Sequence, residues 1–387
     1  MTLHRAPLAM SPPGEPVPSA APDGKRRPAG FRAPKGPSRA PASQTPRHLH
    51  RSGPHSLAVS LPKVWTEGHS LVRGSVVWLH AKDDGRLEVS PASSSGSGPA
   101  RDRVLTVGST HFGEPEVLAR TVFGGYVVGY DRIELSDAQG FDRERRREVE
   151  RAAHALVGLQ VVFHDAHRLS LQSFLDPRRH TVPQVLGRAG LLVREMSQLL
   201  ASAVRGDSEV PLKELGVMEA ESDRLYALAL RQLMLAQEDP ALARILDVRE
   251  PRDLLGGRVV GKVYEEIADL LVRAAPDLEV GLKGRELPGP LRADLAGQLE
   301  TLRTMVQDSS RSLLEEDSIL AHRVLRHRED GLVALHRTEQ LLSRARLPRR
   351  QTASLAVFSW SVGTARRLCG TVAEVALNES IRSTANG

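Results

Sequence analysis

Two stretches decide the fold, "VMEAESDRLYALALRQL" (residues 217–233) and "VYEEIADLL" (263–271). Each carries apolar residues at helical intervals. Each also sets two acids four residues apart, Glu219 and Asp223 in the first, Glu265 and Asp269 in the second. On a helix this spacing stacks both carboxylates on one face, one turn above the other. In the second stretch Val259, Val263, Ile267 and Leu270 form the expected core stripe, with Glu265 and Asp269 opposite and Arg258 and Lys262 behind them.

One reading is a solvated face on which Lys262 pairs with Glu265 or Glu266. A like-charge pair costs only about 0.2–0.5 kcal/mol on an exposed helix, so nothing forbids it. The other reading needs both pairs. On neighbouring helices four carboxylates converge, and their repulsion favours a bound cation. All-oxygen ligands suit Mg²⁺, Mn²⁺ or Ca²⁺, and also iron. A carboxylate di-iron oxidase additionally needs Glu-x-x-His on two helices. Here Ser222 and Ala268 stand three residues after Glu219 and Glu265, so that ligand set is missing.

Outward from these stretches the chain reads as helical from about residue 185. Six helices are expected near 186–206, 208–237, 252–275, 290–314, 316–346 and 351–382. "GLKGRELPGP" (281–290) divides them three and three. "REMSQLLASAVRGD" (194–207) is echoed by "RTMVQDSSRSLLEED" (303–317), each ending in an acid before another long helix. An internal repeat of this kind predicts two antiparallel three-helix bundles, 186–276 and 290–382.

Upstream, residues 104–176 read as a mixed α/β spacer. "EPEVLARTVFGGYVVG" is helical, "DRIEL" is a short strand, and Asp142 caps a helix through "RERRREVERAAHAL". "LQVVFHDAHRLSLQSF" is a strand hairpin. Its "HDAH" is a polar hairpin tip, because His164 and His167 face opposite ways on a strand. No phosphate-binding glycine loop, nucleotide fingerprint or Ser/His/Asp order occurs, and "GGYVVG" lacks the strand–turn–helix setting of one. The expectation is a protein that is not an enzyme.

Residues 55–91 form a small β unit. Leu57, Val59 and Leu61 alternate with polar residues, Pro62 opens a short helical turn, and "SVVWLHA" and "RLEVS" flank the turn "KDDG". About 37 residues cannot bury a core of their own, so a partner chain is expected. "ASSSGSGPARD" (92–102) is a flexible linker. Residues 1–54 hold 12 of the 25 prolines, and this tail is expected to be disordered.

Aromatics make up 4% of the chain against 40% hydrophobic residues, in keeping with a largely helical protein. The net charge of +6 belongs to the tail. Residues 1–51 carry nine Lys/Arg against Glu15 and Asp23, which leaves the remainder near −1. The one cysteine, Cys369, excludes an intrachain disulfide and a cysteine-rich zinc site and reads as a core residue. No apolar run reaches the ~18 residues of a membrane span, and no signal-peptide core precedes the first prolines. A cytoplasmic address is expected.

"SLAVSLPKVW…LVRGSVVWL…DGRLEVSP" resembles an AbrB/SpoVT-type swapped-hairpin domain. "MEAESDRLYALALRQL" and "VGKVYEEIADLLV" resemble helices of PhoU-domain proteins, whose signature is Glu-x-x-x-Asp. "RTVFGGYVVGYDRIEL" is similar to the middle segment of phosphate-uptake regulators that fuse the two. The resemblance spans residues 55–382. It implies an α+β chain of swapped-hairpin β domain, spacer and two PhoU-like bundles. It also implies a divalent metal ion (Mg, Mn or Fe) on Glu219, Asp223, Glu265 and Asp269, and a phosphate transporter or sensor kinase as partner. Dimerisation or DNA contact by the β domain follows as well, with Lys63, Arg73 and Lys82 as DNA-binding candidates. A metal-binding scaffold that docks without touching DNA is the alternative. In the second repeat Glu329 is followed by Val333, and Arg366 and Gly370 stand where the last acidic pair belongs. That bundle is expected to have lost its metal site.

Overall fold

A computed structural model describes residues 46–53, 56–81, 85–91, 103–108, 116–207, 211–283 and 286–385. They fall into two compact units that meet in sequence at residues 101 and 102. Most of the tail, all of the linker, and Lys82 lie outside the described residues.

In the first unit β1 (Leu49–Arg51) pairs antiparallel with β2 (Leu57–Val59). The last part of the expected disordered tail is therefore a strand, because Leu49 and Arg51 complete a ladder with Val59 and Leu57. A short α1 (Lys63–Gly68) follows Pro62. Then β3 (Val77–Ala81) and β4 (Leu87–Pro91) make the expected hairpin. Among the described residues of this unit nine large apolar side chains, Trp78 and Leu79 included, are at least 45% exposed.

The second unit opens with a four-stranded sheet. Its elements are β5 (Val104–Gly108), α2 (Val117–Val128), β6 (Arg132–Ser136), α3 (Arg143–His154), β7 (Leu159–His164) and β8 (Arg168–Ser173). The strand order is β5-β6-β8-β7. β5, which hydropathy did not single out, pairs parallel to β6 through the α2 crossover. β8 runs antiparallel to both of its neighbours. Asp142 caps α3 by accepting from the Arg145 N–H at 2.8 Å. Asp165 accepts from the N–H groups of His167 and Arg168, which fixes the hairpin tip as a polar turn. Leu118, Val122, Ile133, Leu135, Val149 and Leu171 form the core between helices and sheet.

Among the described residues eight helices follow: α4 (Val182–Arg205), α5 (Glu214–Glu238), α6 (Pro240–Ile245), α7 (Pro251–Leu282), α8 (Gly289–Leu314), α9 (Ser318–Glu329), α10 (Gly331–Arg344) and α11 (Arg349–Ala385). The expected helix over 316–346 is two. It breaks at Asp330, just before the weak helix former Gly331. α7 runs on through Pro276, past the expected end at 275. Burial of Leu278 on the core side outweighs the hydrogen bond lost to proline. The two sets of helices share one hydrophobic core. α4 packs on α8 and α7 packs on α11. Cys369 lies fully buried in that core. No helix among the described residues is long and apolar enough to cross a membrane.

Gly281 allows the α7–α11 approach. A Cβ there would lie 2.6 Å from Leu355 Cγ. Gly281→Ala should lower stability by about 1–2 kcal/mol, because overpacking exceeds the gain in helix propensity. Gly297, with nothing within 4 Å of its Cβ position, is the control. Gly297→Ala on α8 should stabilise by about 0.5–1 kcal/mol. Urea unfolding of both variants checks the opposite signs.

Candidate metal centre

α5 presents Glu219, Asp223, Ala227 and Arg231 at four-residue intervals, so all four share a face. That face is turned to the sheet layer. Ala227 packs into the sheet-layer core. The Arg231 guanidinium, 2% exposed, donates to the carbonyls of Tyr126 (2.7 Å) and Tyr130 (2.9 Å) at the end of α2. It also reaches Asp131 Oδ1 at 3.2 Å and lies 5.0 Å from the centre of the Tyr126 ring. Burial pulls the Arg231 pKa down, against the opposing pull of Tyr126 and Asp131. Sequence reading missed this latch. Its signal was an arginine inside the apolar run "LALRQL".

α7 supplies the other half of the centre. Its buried side carries Val260, Val263, Tyr264, Ile267, Ala268 and Leu271. The expected stripe is shifted: Val259 is 39% exposed, and Leu271 rather than Leu270 is buried. α7 is covered by α4, α5 and α11 together, which blurs the single-face periodicity of a surface helix.

Three of the four expected ligands converge. Glu219, Asp223 and Asp269 each offer one carboxylate oxygen, and these atoms lie within 4.8 Å of one another. Opposed oxygens around Mg²⁺ stand about 4.2 Å apart and around Ca²⁺ about 4.8 Å, so the triad is wide enough for a hard divalent cation. Asp269 Oδ2 accepts from Arg273 at 3.0 Å. Its Oδ1 is enclosed and has no hydrogen-bond partner. An enclosed carboxylate oxygen left without a partner is costly unless a cation meets it. The residues fit an oxygen-ligated metal. Among the described residues no other group of acidic, His or Cys side chains converges in this way.

Glu265 stands apart from the triad. It is 8% exposed and bonded to Lys262. Burial pushes the Lys262 pKa down, but the Glu265 carboxylate outweighs it and holds that pKa above its ordinary value. Lys262 is therefore the counter-charge, as the solvated-face reading had it, yet the face is covered. Phe123, Ala152, Leu156, Asp223, Tyr226 and Glu265 enclose a cavity of about 60 Å³ between α2, α3, α5 and α7. Of the triad, Asp223 lines this cavity, at the seam between sheet layer and helices.

In the second repeat Glu329 and Val333 are exposed. Arg366 is 4% exposed and donates to the His327 carbonyl at 3.2 Å. The Arg328 side chain covers Gly370 and its Nη1 reaches Glu374. Guanidinium groups occupy the place where the first repeat gathers carboxylates. Of the DNA-binding candidates, Lys63 opens α1 and pairs with Glu67 at 3.6 Å, and Arg73 is exposed in the turn before β3. No protein-family model matches the chain, and none of the curated proteins searched matches it.

Proposed function

We propose that this chain is a metal-binding regulator of phosphate uptake, non-catalytic, with Glu219, Asp223 and Asp269 as ligands for one divalent cation. The observation that carries the reading is the convergence of three carboxylates from α5 and α7, with Asp269 Oδ1 enclosed and unmatched. When bound, the cation supplies the positive charge that these oxygens lack. The chain's part is to hold the ligands: α5 is tied to α2 by Arg231, and Asp269 is braced by Arg273. The link to phosphate rests on the resemblance of the Glu-x-x-x-Asp helices to PhoU domains. Its test is labelled-phosphate uptake in host cells lacking the chain. Reintroducing the parent should restore regulated uptake, and Asp223→Asn with Asp269→Asn should not. Uptake that is indifferent to the chain would remove the phosphate reading and leave the metal reading standing.

The β unit acts as a dimerisation element in this account. Leu57, Trp78 and Leu79 of this unit are at least half exposed, too much for a unit that folds alone. The purified protein should be at least a dimer by light scattering, and a monomer at micromolar concentration would contradict this. A scaffold that docks on a transporter or sensor kinase without touching DNA is favoured by one observation: Lys63 already has Glu67 as an ion-pair partner.

A further inference from the structure

We propose that the open cleft along α3 is a binding groove for single-stranded nucleic acid, independent of the metal centre and of the β unit. Two adjoining hollows form it, of about 530 and 590 Å³, and they share Glu150 and His154. Arg143, Arg147 and Arg151 line one, and His154, His164 and Arg224 line the other. The three α3 arginines recur every four residues, so they form a single row with steps of about 6 Å.

Their neighbours show what a structural arginine does on this helix. Arg145 is paired with the buried Asp137 at 2.9 Å, and Arg146 donates to the Phe141 carbonyl. Arg143, Arg147 and Arg151 are exposed and make no ion pair with a described residue. The one bond among them runs from Arg151 Nε to the Arg147 carbonyl. Across the cleft, the Nε of Arg224 is enclosed without a hydrogen-bond acceptor, with Glu221 as far as 3.8 Å away. Four guanidinium groups face Glu144 and Glu150, with Glu221 beside Arg224, so the groove is cationic by one charge.

The shape selects the ligand. A small-molecule site encloses most of its ligand, whereas this cleft is open along its length, as a backbone-tracking groove is. His154 and His164 add flat rings on which unpaired bases stack. Glu150, at the joint of the two hollows, is an acceptor for a base amino group.

The test is fluorescence anisotropy of a labelled mixed-sequence single-stranded oligonucleotide with the full-length protein over a range of salt. The parent should bind, with affinity falling steeply as salt rises. Arg143→Gln with Arg147→Gln and Arg151→Gln should flatten the log–log salt slope by about 2, the share of three phosphates on a single strand. His154→Ala with His164→Ala should weaken binding and leave the slope alone. Metal content and melting temperature should match the parent throughout, since all five side chains are exposed. Should the triple variant fail to fold, Arg143→Gln and Arg151→Gln singly should each flatten the slope by about 0.7. No binding by the parent, or equal slopes in parent and variant, overturns the groove. Displacement of the strand by inorganic polyphosphate at equal charge and equal concentration overturns the assignment to nucleic acid.

Discussion

Arg231→Ala should destabilise the protein by about 3 kcal/mol and loosen the sheet layer before the helical core. Removing one partner of a buried charged network costs about 3–5 kcal/mol, because the groups left behind stay desolvated. The lower figure applies here, since Asp131 is 38% exposed and can rehydrate. The carbonyls of Tyr126 and Tyr130 lose a donor, and the end of α2 loses the cation that its dipole favours. Arg231→Lys should restore only part of the loss, because an ammonium cannot fork between two carbonyls and a carboxylate. Arg231→Leu should cost less than Ala, since it fills the space. Urea unfolding ranks the three variants. Hydrogen exchange should find early opening at residues 116–173 in the Ala variant. A loss below about 1 kcal/mol would mean that apolar packing at Ala227 alone holds the layers together.

Asp223→Asn combined with Asp269→Asn should have opposite consequences with and without metal. In chelator the variant should be at least as stable as the parent, because the change relieves carboxylate repulsion at the seam. With metal at a hundredfold excess over its Kd, the parent alone should gain about 2.7 kcal/mol by mass action. Melting curves in chelator and in Mn²⁺ read both effects. A parent that melts at the same temperature in both would contradict the proposal.

The long helices of the second unit were legible because their apolar periods are long. Their ends were less so: α4 starts at Val182 behind the Thr181 capping box, four residues before the expected start, and the six-residue α6, capped by Asp239, is too short to show a period of its own. The β7–β8 hairpin was legible from alternation around a turn. β5 was not, because five residues beside a Ser/Gly-rich linker carry too little pattern of their own, and its partner β6 lies 28 residues on. The acidic pairs on α5 and α7 were visible as spacings. Which of the four carboxylates meet depends on side-chain packing: Glu265 turns to Lys262 beside the sheet layer, while Asp269 turns to Glu219 and Asp223. Nor could spacing disclose that two helix sets with a repeated sequence share one core. That follows from α7 and α8 both lying against α11.

Isothermal titration with Mn²⁺ on metal-stripped protein, backed by elemental analysis, tests the metal centre most directly. The parent should bind one ion per chain. Glu265→Gln should keep that stoichiometry, since Lys262 already holds this carboxylate, and Asp269→Asn should abolish it. Metal retained by Asp269→Asn, or lost from Glu265→Gln, would contradict the assignment of Glu219, Asp223 and Asp269 as the ligands.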